Sequence, residues 1–588
     1  MSQNELETLT HHAMLVVWGQ FAHSIGLIDP LQSVKLHQKT VQHSPQTKVL
    51  EFFTAILAGL EHMQDISRSA HPLDQDRAVA KAWGQAGWAD YSGVSRTLTG
   101  LTQIEAEQIA AVLDQITRPI LAEEVMRALQ SAGRLSYDGD LTDRPVSNTS
   151  TTYPGVAYGH MGDELRLGYQ AAMVSMHSPT YGRFWLSVEQ HPGDTVSCTQ
   201  AEAMVQTAEA KTGLRPWRRT DLLSQRILVL ESERQRHLEQ VQICQAALEK
   251  AQTRLTQAQQ EWPEAQKAFL QHEAEYQERK RCERPYSALA KARRRLKMLE
   301  QRQKRLSQHI PTLEKRLHHR QQQELAHQIE IGRLRKRLER LEADNRTNTF
   351  PIQADFRLDA GFGSRENVAF LIEMGYEIYT KPYSDWLTPR LKKRTSSLTQ
   401  WMRVGDNAEM VAWKADRFSD FPYPMDVGLE RFYAGKKQRH GTLLHFGSDP
   451  VTTNLPGWFH RYNARQTIEA GIKEGKNVFT MHHLKVRSAP AIFLQEQFAL
   501  FAANFVRWAS RWLTEQCPDI LPAWQNTAQP KVKEQVKVAA HTSAWVNWQD
   551  QGCLLTFTDH SLFAGRSLTV KKQWVVQLPL PFSENAHF

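Results

Sequence analysis

At 588 residues the chain is too long for one core, and three to five units are expected at about 100–200 residues each. Lys and Arg number 72 against 63 Asp and Glu, a net charge of +9. The cysteines (198, 244, 282, 517 and 553) form no Cys-x-x-Cys pair, which argues against a disulfide framework or a zinc site. With no long apolar run and no basic-plus-apolar leader, a soluble cytoplasmic protein is expected.

Residues 1–130 are helical in pattern, with an apolar core-type helix at 49–63. Residues 90–98 follow a Gly84…Gly87 turn and read as the second helix of a helix-turn-helix. Ser92, Ser95 and Arg96 would face out to read DNA. An ordinary capped helix accounts for the same residues without DNA. Gln103, Glu105 and Glu107 begin the next helix.

Residues 131–225 open an α/β region. Leu135 and Tyr137 alternate with Ser136, Asp138 and Asp140, so both aspartates share one strand face and periodicity does not choose between them. Residues 168–174 and 184–188 read as the next strands, joined by a turn at 178–182, and 199–210 as a helix.

From 226 to 345 the composition turns to Gln, Glu, Arg, Lys and Leu. Leu228, Leu238, Val241, Leu248 and Leu255 form one apolar stripe; Leu296, Leu299, Leu306, Leu313 and Leu317 begin a second. Two antiparallel helices in a coiled-coil hairpin are expected, with Pro263 and Pro285 bracketing the break. Residues 291–320 hold 11 Lys and Arg against Glu300 and Glu314, an excess of +9 that equals that of the whole chain. Such a field suits a phosphate backbone.

In 346–382, Ile352, Ala354, Phe356 and Leu358 alternate with Gln353, Asp355, Arg357 and Asp359. The strand stops at Ala360-Gly361-Phe362-Gly363. Asp359 therefore stands at its C-terminal end, where α/β sheets place their sites. A helix at 364–374 and a strand at 376–380 follow. Residues 383–452 suit a β-rich insertion, basic at Lys392-Lys393-Arg394 and Lys436-Lys437. Residues 453–520 are helical. The tail, 521–588, carries short strands at 554–557 and 574–578.

Within the 453–520 segment, Tyr462, Arg465, Glu469 and Lys476 are spaced Tyr-x2-Arg-x3-Glu-x6-Lys, which keeps all four on one face of a continuous helix. A carboxylate there could hold a divalent metal while the cations grip phosphates on either side. Trp458 is near enough in sequence to stack on a base, or to be core.

The order Asp…Asp…Glu, with the tyrosine–arginine–glutamate–lysine helix, resembles the DDE transposases of bacterial insertion sequences, in the cut-and-paste branch with a strand-rich insertion before the glutamate. Asp140-Leu-Thr142 matches the first aspartate motif better than Asp138 does. Arg357-Leu-Asp359-Ala-Gly361-Phe362 matches the second, and Glu469 is the glutamate. Thr453-Asn454 and Ala502-Ala503-Asn504 are also similar to the family. The resemblance spans about residues 80–515, although the 228–345 stretch is longer and more basic than the family pattern. It implies an α/β RNase H-like catalytic core over 131–225, 346–382 and 453–520. Asp140, Asp359 and Glu469 would hold two Mg²⁺ ions, Mn²⁺ being able to substitute. Tyr462, Arg465 and Lys476, with Trp458, would meet terminal phosphates or a flipped base. The expected activity is cleavage and strand transfer at an element's terminal inverted repeats. A homodimer would hold the paired ends, associated with the nucleoid through DNA. The hairpin would position DNA or a partner protomer. An RNase H-like nuclease without strand transfer and a domesticated, inactive DNA-binding protein are the alternatives; the presence of all three acids argues against the latter.

Overall fold

The computed structural model describes residues 7–40, 42–147, 153–283, 286–416, 421–435, 437–516, 532–558 and 567–571. The chain is a mixed α/β protein in two compact units, Met1–Trp217 with Asn348–Phe588, and Arg218–Thr347.

The strands of the larger unit are β1 (Glu7–Thr10), β2 (Arg134–Pro145), β3 (Ala157–Met161), β4 (Glu164–Ser178), β5 (Gly182–Pro192), β6 (Gln353–Arg357) and β7 (Glu377–Thr380). They continue as β8 (Met402–Arg403), β9 (Ala408–Asp416), β10 (Met425–Ala434), β11 (Lys437–Phe446), β12 (Ala544–Gln549), β13 (Gly552–Phe557) and β14 (Ser567–Lys571). At the centre of the main sheet, β2 pairs antiparallel with β4 on one side and parallel with β6 on the other. Beyond them β5 runs antiparallel to β4, and β7 parallel to β6. The polar–apolar alternation of β2 and β6 is what a sheet covered on both faces by different partners requires.

Two features of this sheet differ from the sequence reading. β3, a hairpin strand on β4, has no signal strong enough to be expected. The insertion at 383–452 is β-rich as expected, and its attachment to the main sheet is what the sequence did not show. β11 pairs with β7, and β10, β9 and β8 follow, so the insertion prolongs the main sheet.

The helix Ala489–Gln516 fastens the N-terminal helices to this sheet. Phe498 and Phe501 meet Phe53 of the helix Pro45–Leu57 at ring distances of 5.1 and 5.6 Å, and Trp508 meets Phe184 of β5 at 5.5 Å. Asn504 accepts from the Trp185 N–H at 3.0 Å and donates to the Trp185 carbonyl at 2.9 Å. That residue lies where the β4–β5 register shifts, so the amide satisfies backbone groups that the ladder leaves unpaired.

In the N-terminal region, Arg77–Ala82 and Tyr91–Thr99 are two short helices joined by a turn. Beneath the turn lies Glu51, which accepts from the Ala89 N–H at 2.8 Å. Burial pushes its carboxyl up to about 9. The folded protein therefore keeps a proton that the unfolded chain releases near 4.5, and stability falls as pH rises from about 4.5 toward 9. Glu51→Gln keeps the acceptor and removes the ionisation. It is expected to stabilise the protein by roughly 1–3 kcal/mol at pH 8 and to flatten this pH dependence, as checked by urea unfolding across pH. Wild-type pH dependence in the variant would show that another group titrates.

A second sheet joins distant parts of the chain, in the order β1-β12-β13-β14. Residues 554–557 lie in β13, whereas the strand expected at 574–578 and Cys517 lie outside the described residues.

The smaller unit is a hairpin of two long helices, Thr220–Glu278 and Tyr286–Thr347, about 90 Å each at ~1.5 Å per residue. Pro263 does not end the first helix. It sits exposed within the helix, which continues through it. Pro285 lies outside the described residues. Leu223, Ile227 and Ala258 of the first arm and Leu299, Leu334 and Leu341 of the second are buried. Much of the two stripes thus packs together within one chain, whereas Leu228 of the first stripe is 64% exposed. Arg218 and Asn345 exchange hydrogen bonds of 2.8 and 3.0 Å at the base, which fixes the register.

Candidate active site

Five aspartates lie on β2 and at β6, and the structure divides them by partner; Asp143 is paired with Lys476. Asp138 is buried and accepts two hydrogen bonds from Arg357, at 2.6 and 2.7 Å. Asp355 is buried and accepts from Ser136 Oγ and Arg461 Nη2, both at 2.8 Å. Asp140 and Asp359 are left for the site.

Asp359 follows the end of β6 and precedes a short 3₁₀ turn, Ala360–Phe362. Gly363 closes that turn, accepting from the Tyr383 N–H at 3.1 Å. A Cβ on Gly363 would lie 1.8 Å from the Lys381 carbonyl oxygen, so only glycine lets the two backbones pass. Glu469 is carried by the helix Gln466–Val478. Here Gly471 admits the buried Arg183, whose Nη1 would come within 1.7 Å of a Cβ. These two glycines position the acids that follow or precede them.

Arg465 joins the three acids. Its Nη1 donates to Glu469 Oε1 at 2.6 Å. Its Nη2 stands 3.2 Å from Asp140 Oδ2 and 4.0 Å from Asp359 Oδ2. The guanidinium is buried, while Asp359 and Glu469 are 36% and 55% exposed, so the cluster opens to solvent on the acid side. Burial pushes the Asp140 carboxyl up to about 7, Asp359 and Glu469 adding to this and Arg465 opposing it. The Leu141 N–H donates to Asp140 Oδ1 at 2.9 Å. Asp359 Oδ1 is buried without a hydrogen-bond partner, an acceptor that a cation or a donor would satisfy.

The donor set, three carboxylates with no sulfur or imidazole, suits a hard divalent ion such as Mg²⁺. Among the described residues, no three His, Cys, Asp or Glu side chains already stand as a metal-holding group. The physical reason at this cluster is Arg465, a cation already lodged between the acids. The donors fit the ion in kind, and Arg465 must yield for them to close on it.

The other expected contacts are distributed differently. The stretch from Tyr462 to Lys476 is not one helix. Leu455–Asn463 ends, and Gln466–Val478 begins after a tight turn at Ala464 and Arg465, where Arg465 N–H bonds to the Tyr462 carbonyl and Ile468 N–H to the Arg465 carbonyl. The turn swings Arg465 inward. Tyr462 is 7% exposed and Trp458 1% exposed, both in a core with Tyr379, Met410, Leu443 and Leu455. Trp458 is thus core, without a free face for a base. Lys476 is bonded to Asp143 at 2.5 Å, on the same helix as Glu469 but away from Arg465. Ser95 and Arg96 lie on the outer face of Tyr91–Thr99, whose buried face is Gly93, Val94, Thr97 and Leu98. Arg96 is exposed and lies 3.5 Å from Ser92 Oγ.

Two contributors have no motif of their own. Lys381, 5.4 Å above the Tyr462 ring and 3.1 Å from Glu430, closes one side of the cluster. Arg183 is buried under Gly471, where burial lowers its guanidinium to about 10. Only the spacing Gly471 keeps from Glu469 hinted at such a neighbour.

No protein-family model and no curated protein matches the chain. No helix among the described residues is long and apolar enough to cross a membrane.

Proposed function

We propose that the chain is a DNA transposase of the DDE kind, built on an RNase H-like core. The observation that carries this reading is the meeting of Asp140, Asp359 and Glu469, from three separate segments, around the single guanidinium of Arg465. The sheet supports it as well. Three successive antiparallel strands (β2, β4, β5), a helix (Ala201–Thr212), and two parallel strands added on the far side of β2 are what an RNase H-like core needs.

Asp140, Asp359 and Glu469 would hold Mg²⁺. When bound, two such ions polarise the phosphodiester and stabilise the attacking and leaving oxygens. The remaining work falls to side chains. Arg465 balances the acids' charge when they stand alone. Once displaced, it is one short swing from a phosphate oxygen, which its planar fork suits. Tyr462, packed in the core, fixes the turn that presents Arg465. Lys476 would exchange Asp143 for a phosphate. Ser95 and Arg96, on a solvent-facing helix after a turn, would read the element end.

The test is to incubate the protein with a candidate element end and Mg²⁺ and to look for nicked, hairpin and joined DNA. Nicked DNA without joined products would favour a nuclease. Binding without any scission would favour an inactive architectural protein. For the reading helix, Arg96→Ala is expected to weaken specific binding by ~1–3 kcal/mol while non-specific binding stays largely intact, measured by competition against random duplex. Equal loss on both would reduce Arg96 to a phosphate contact.

A further inference from the structure

The hairpin's second arm sorts its cations by the use they have. Seam positions recur alternately every three and four residues, through Leu289, Leu296, Leu299, Leu306 and Leu313, all wholly or partly buried. Beside the seam, Arg293 and Arg295 reach across to Glu273 and Glu261 of the first arm, at 4.0 and 3.9 Å. These are the positions that join two coiled-coil helices. Six further cations sit elsewhere. Lys291 and Arg305, Lys297 and Lys304, and Arg294 and Lys315 occupy the three heptad positions farthest from the seam. All six are exposed, and among the described residues none makes a side-chain hydrogen bond or ion pair.

The hairpin does not need these charges. Its seam is apolar, and its inter-arm pairs use other residues. Solubility alone would be met by mixed signs. The facing stretch of the first arm shows this, for its outer positions carry Glu249, Lys250, Glu264 and Lys267, which cancel. Between Lys291 and Lys315 the outer face of the second arm carries one sign only.

The spacing has a length as well as a sign. From Lys291 to Lys315 the helix rises about 36 Å at ~1.5 Å per residue. That is close to one turn of B-form DNA, about 34–36 Å. A row of cations on one helix over that length, with Pro311 inside it, spans about one turn of a duplex. It offers no Phe, Tyr or Trp for stacking on single strands.

We infer that the outer face of the hairpin's second arm, from Lys291 to Lys315, is a track for the phosphate backbone of double-stranded DNA. It binds without regard to sequence. The inference rests on the proposed function for the choice of DNA among polyanions.

The test uses the full-length protein and a labelled random-sequence duplex of about 40 bp, with affinity measured by anisotropy over a range of NaCl. Each phosphate contact contributes about 0.9 to the slope of log affinity against log salt. The variant with Lys291, Arg294, Lys297, Lys304, Arg305 and Lys315 all changed to Gln is expected to have a slope shallower by about 5. Gln propagates helix nearly as well as Lys and Arg, so the hairpin is kept, as circular dichroism will report. A milder variant, Lys291→Gln with Arg294→Gln and Lys297→Gln, is expected to lose about half as much slope. A wild-type slope in both variants overturns the inference. So does tighter binding of the wild type to single-stranded RNA or to phosphatidylserine vesicles than to the duplex. Asp359→Asn should keep the full slope. Cleavage intact in the Gln variants with an unchanged slope strikes this inference and spares the active site. Lost slope together with undiminished cleavage by Asp359→Asn does the reverse.

Discussion

Asp359→Asn and Glu469→Gln proteins are expected to lose about 10³-fold or more of their Mg²⁺-dependent scission of an element end while binding that DNA as the wild type does. Each change removes a full ligand charge and almost no volume. A bound divalent ion contributes several kcal/mol to the stabilisation of developing charge, and every ~1.4 kcal/mol is tenfold in rate. Folding should be little affected. Both side chains are partly exposed, and the Arg465 guanidinium keeps its other carboxylate partners in either variant. The measurement is cleavage of end-labelled duplex beside thermal denaturation of the same preparations. Undiminished scission by either variant would remove that residue from the site, and the proposed mechanism with it.

The second large effect separates two aspartates that lie two residues apart on β2. Asp138→Asn should unfold the protein more readily by about 3–5 kcal/mol, because it leaves the buried Arg357 guanidinium without its charge partner. Asp140→Asn should do the opposite. Burial raises the Asp140 carboxyl to about 7, above the ordinary value of 3.8, so the charged form costs stability as pH rises through that window. The amide therefore keeps or gains stability at pH 8 while abolishing scission. Paired melting and cleavage assays on the two proteins decide the matter. A stable but inactive Asp138→Asn beside a fully active Asp140→Asn would show that the first ligand is Asp138.

What the sequence revealed here was local. The alternation around Asp138 and Asp359, the heptads of the hairpin and the helix start at Gln103 are short-range patterns, and each recurs in the structure as an element of the expected kind. What it hid was set at a distance. Ala464 and Arg465 are good helix formers with no glycine or proline nearby, so nothing local announces the turn that swings Arg465 inward. The pairing of β7 with β11 joins residues some 65 apart, and no periodicity records it. Trp458 reads equally well as a platform for a base and as core, and only its burial beside Tyr379 and Met410 distinguishes them. Pro263 misled for a simpler reason. At an exposed position of a helix already held by its seam, a missing hydrogen bond costs too little to stop the coil. The reach of Arg357 to Asp138, which sets the surroundings of Asp138 apart from those of Asp140, was likewise hidden, for the motif assigns Arg357 no partner.

The pairing of β1 with β12 has a consequence for how the protein is made. Thr10 stands opposite Ala544, 534 residues further on. At translation rates of about 5–20 residues per second, the ribosome needs roughly 30–110 s to deliver the partner strand after the first one emerges. During that interval β1 presents a bare row of amides and carbonyls, the kind of edge that recruits foreign strands. The N-terminal helices can pack among themselves while synthesis proceeds. Their closing sheet cannot form until residues 544–547 have left the tunnel, and a chaperone acting on the nascent chain would find its site there.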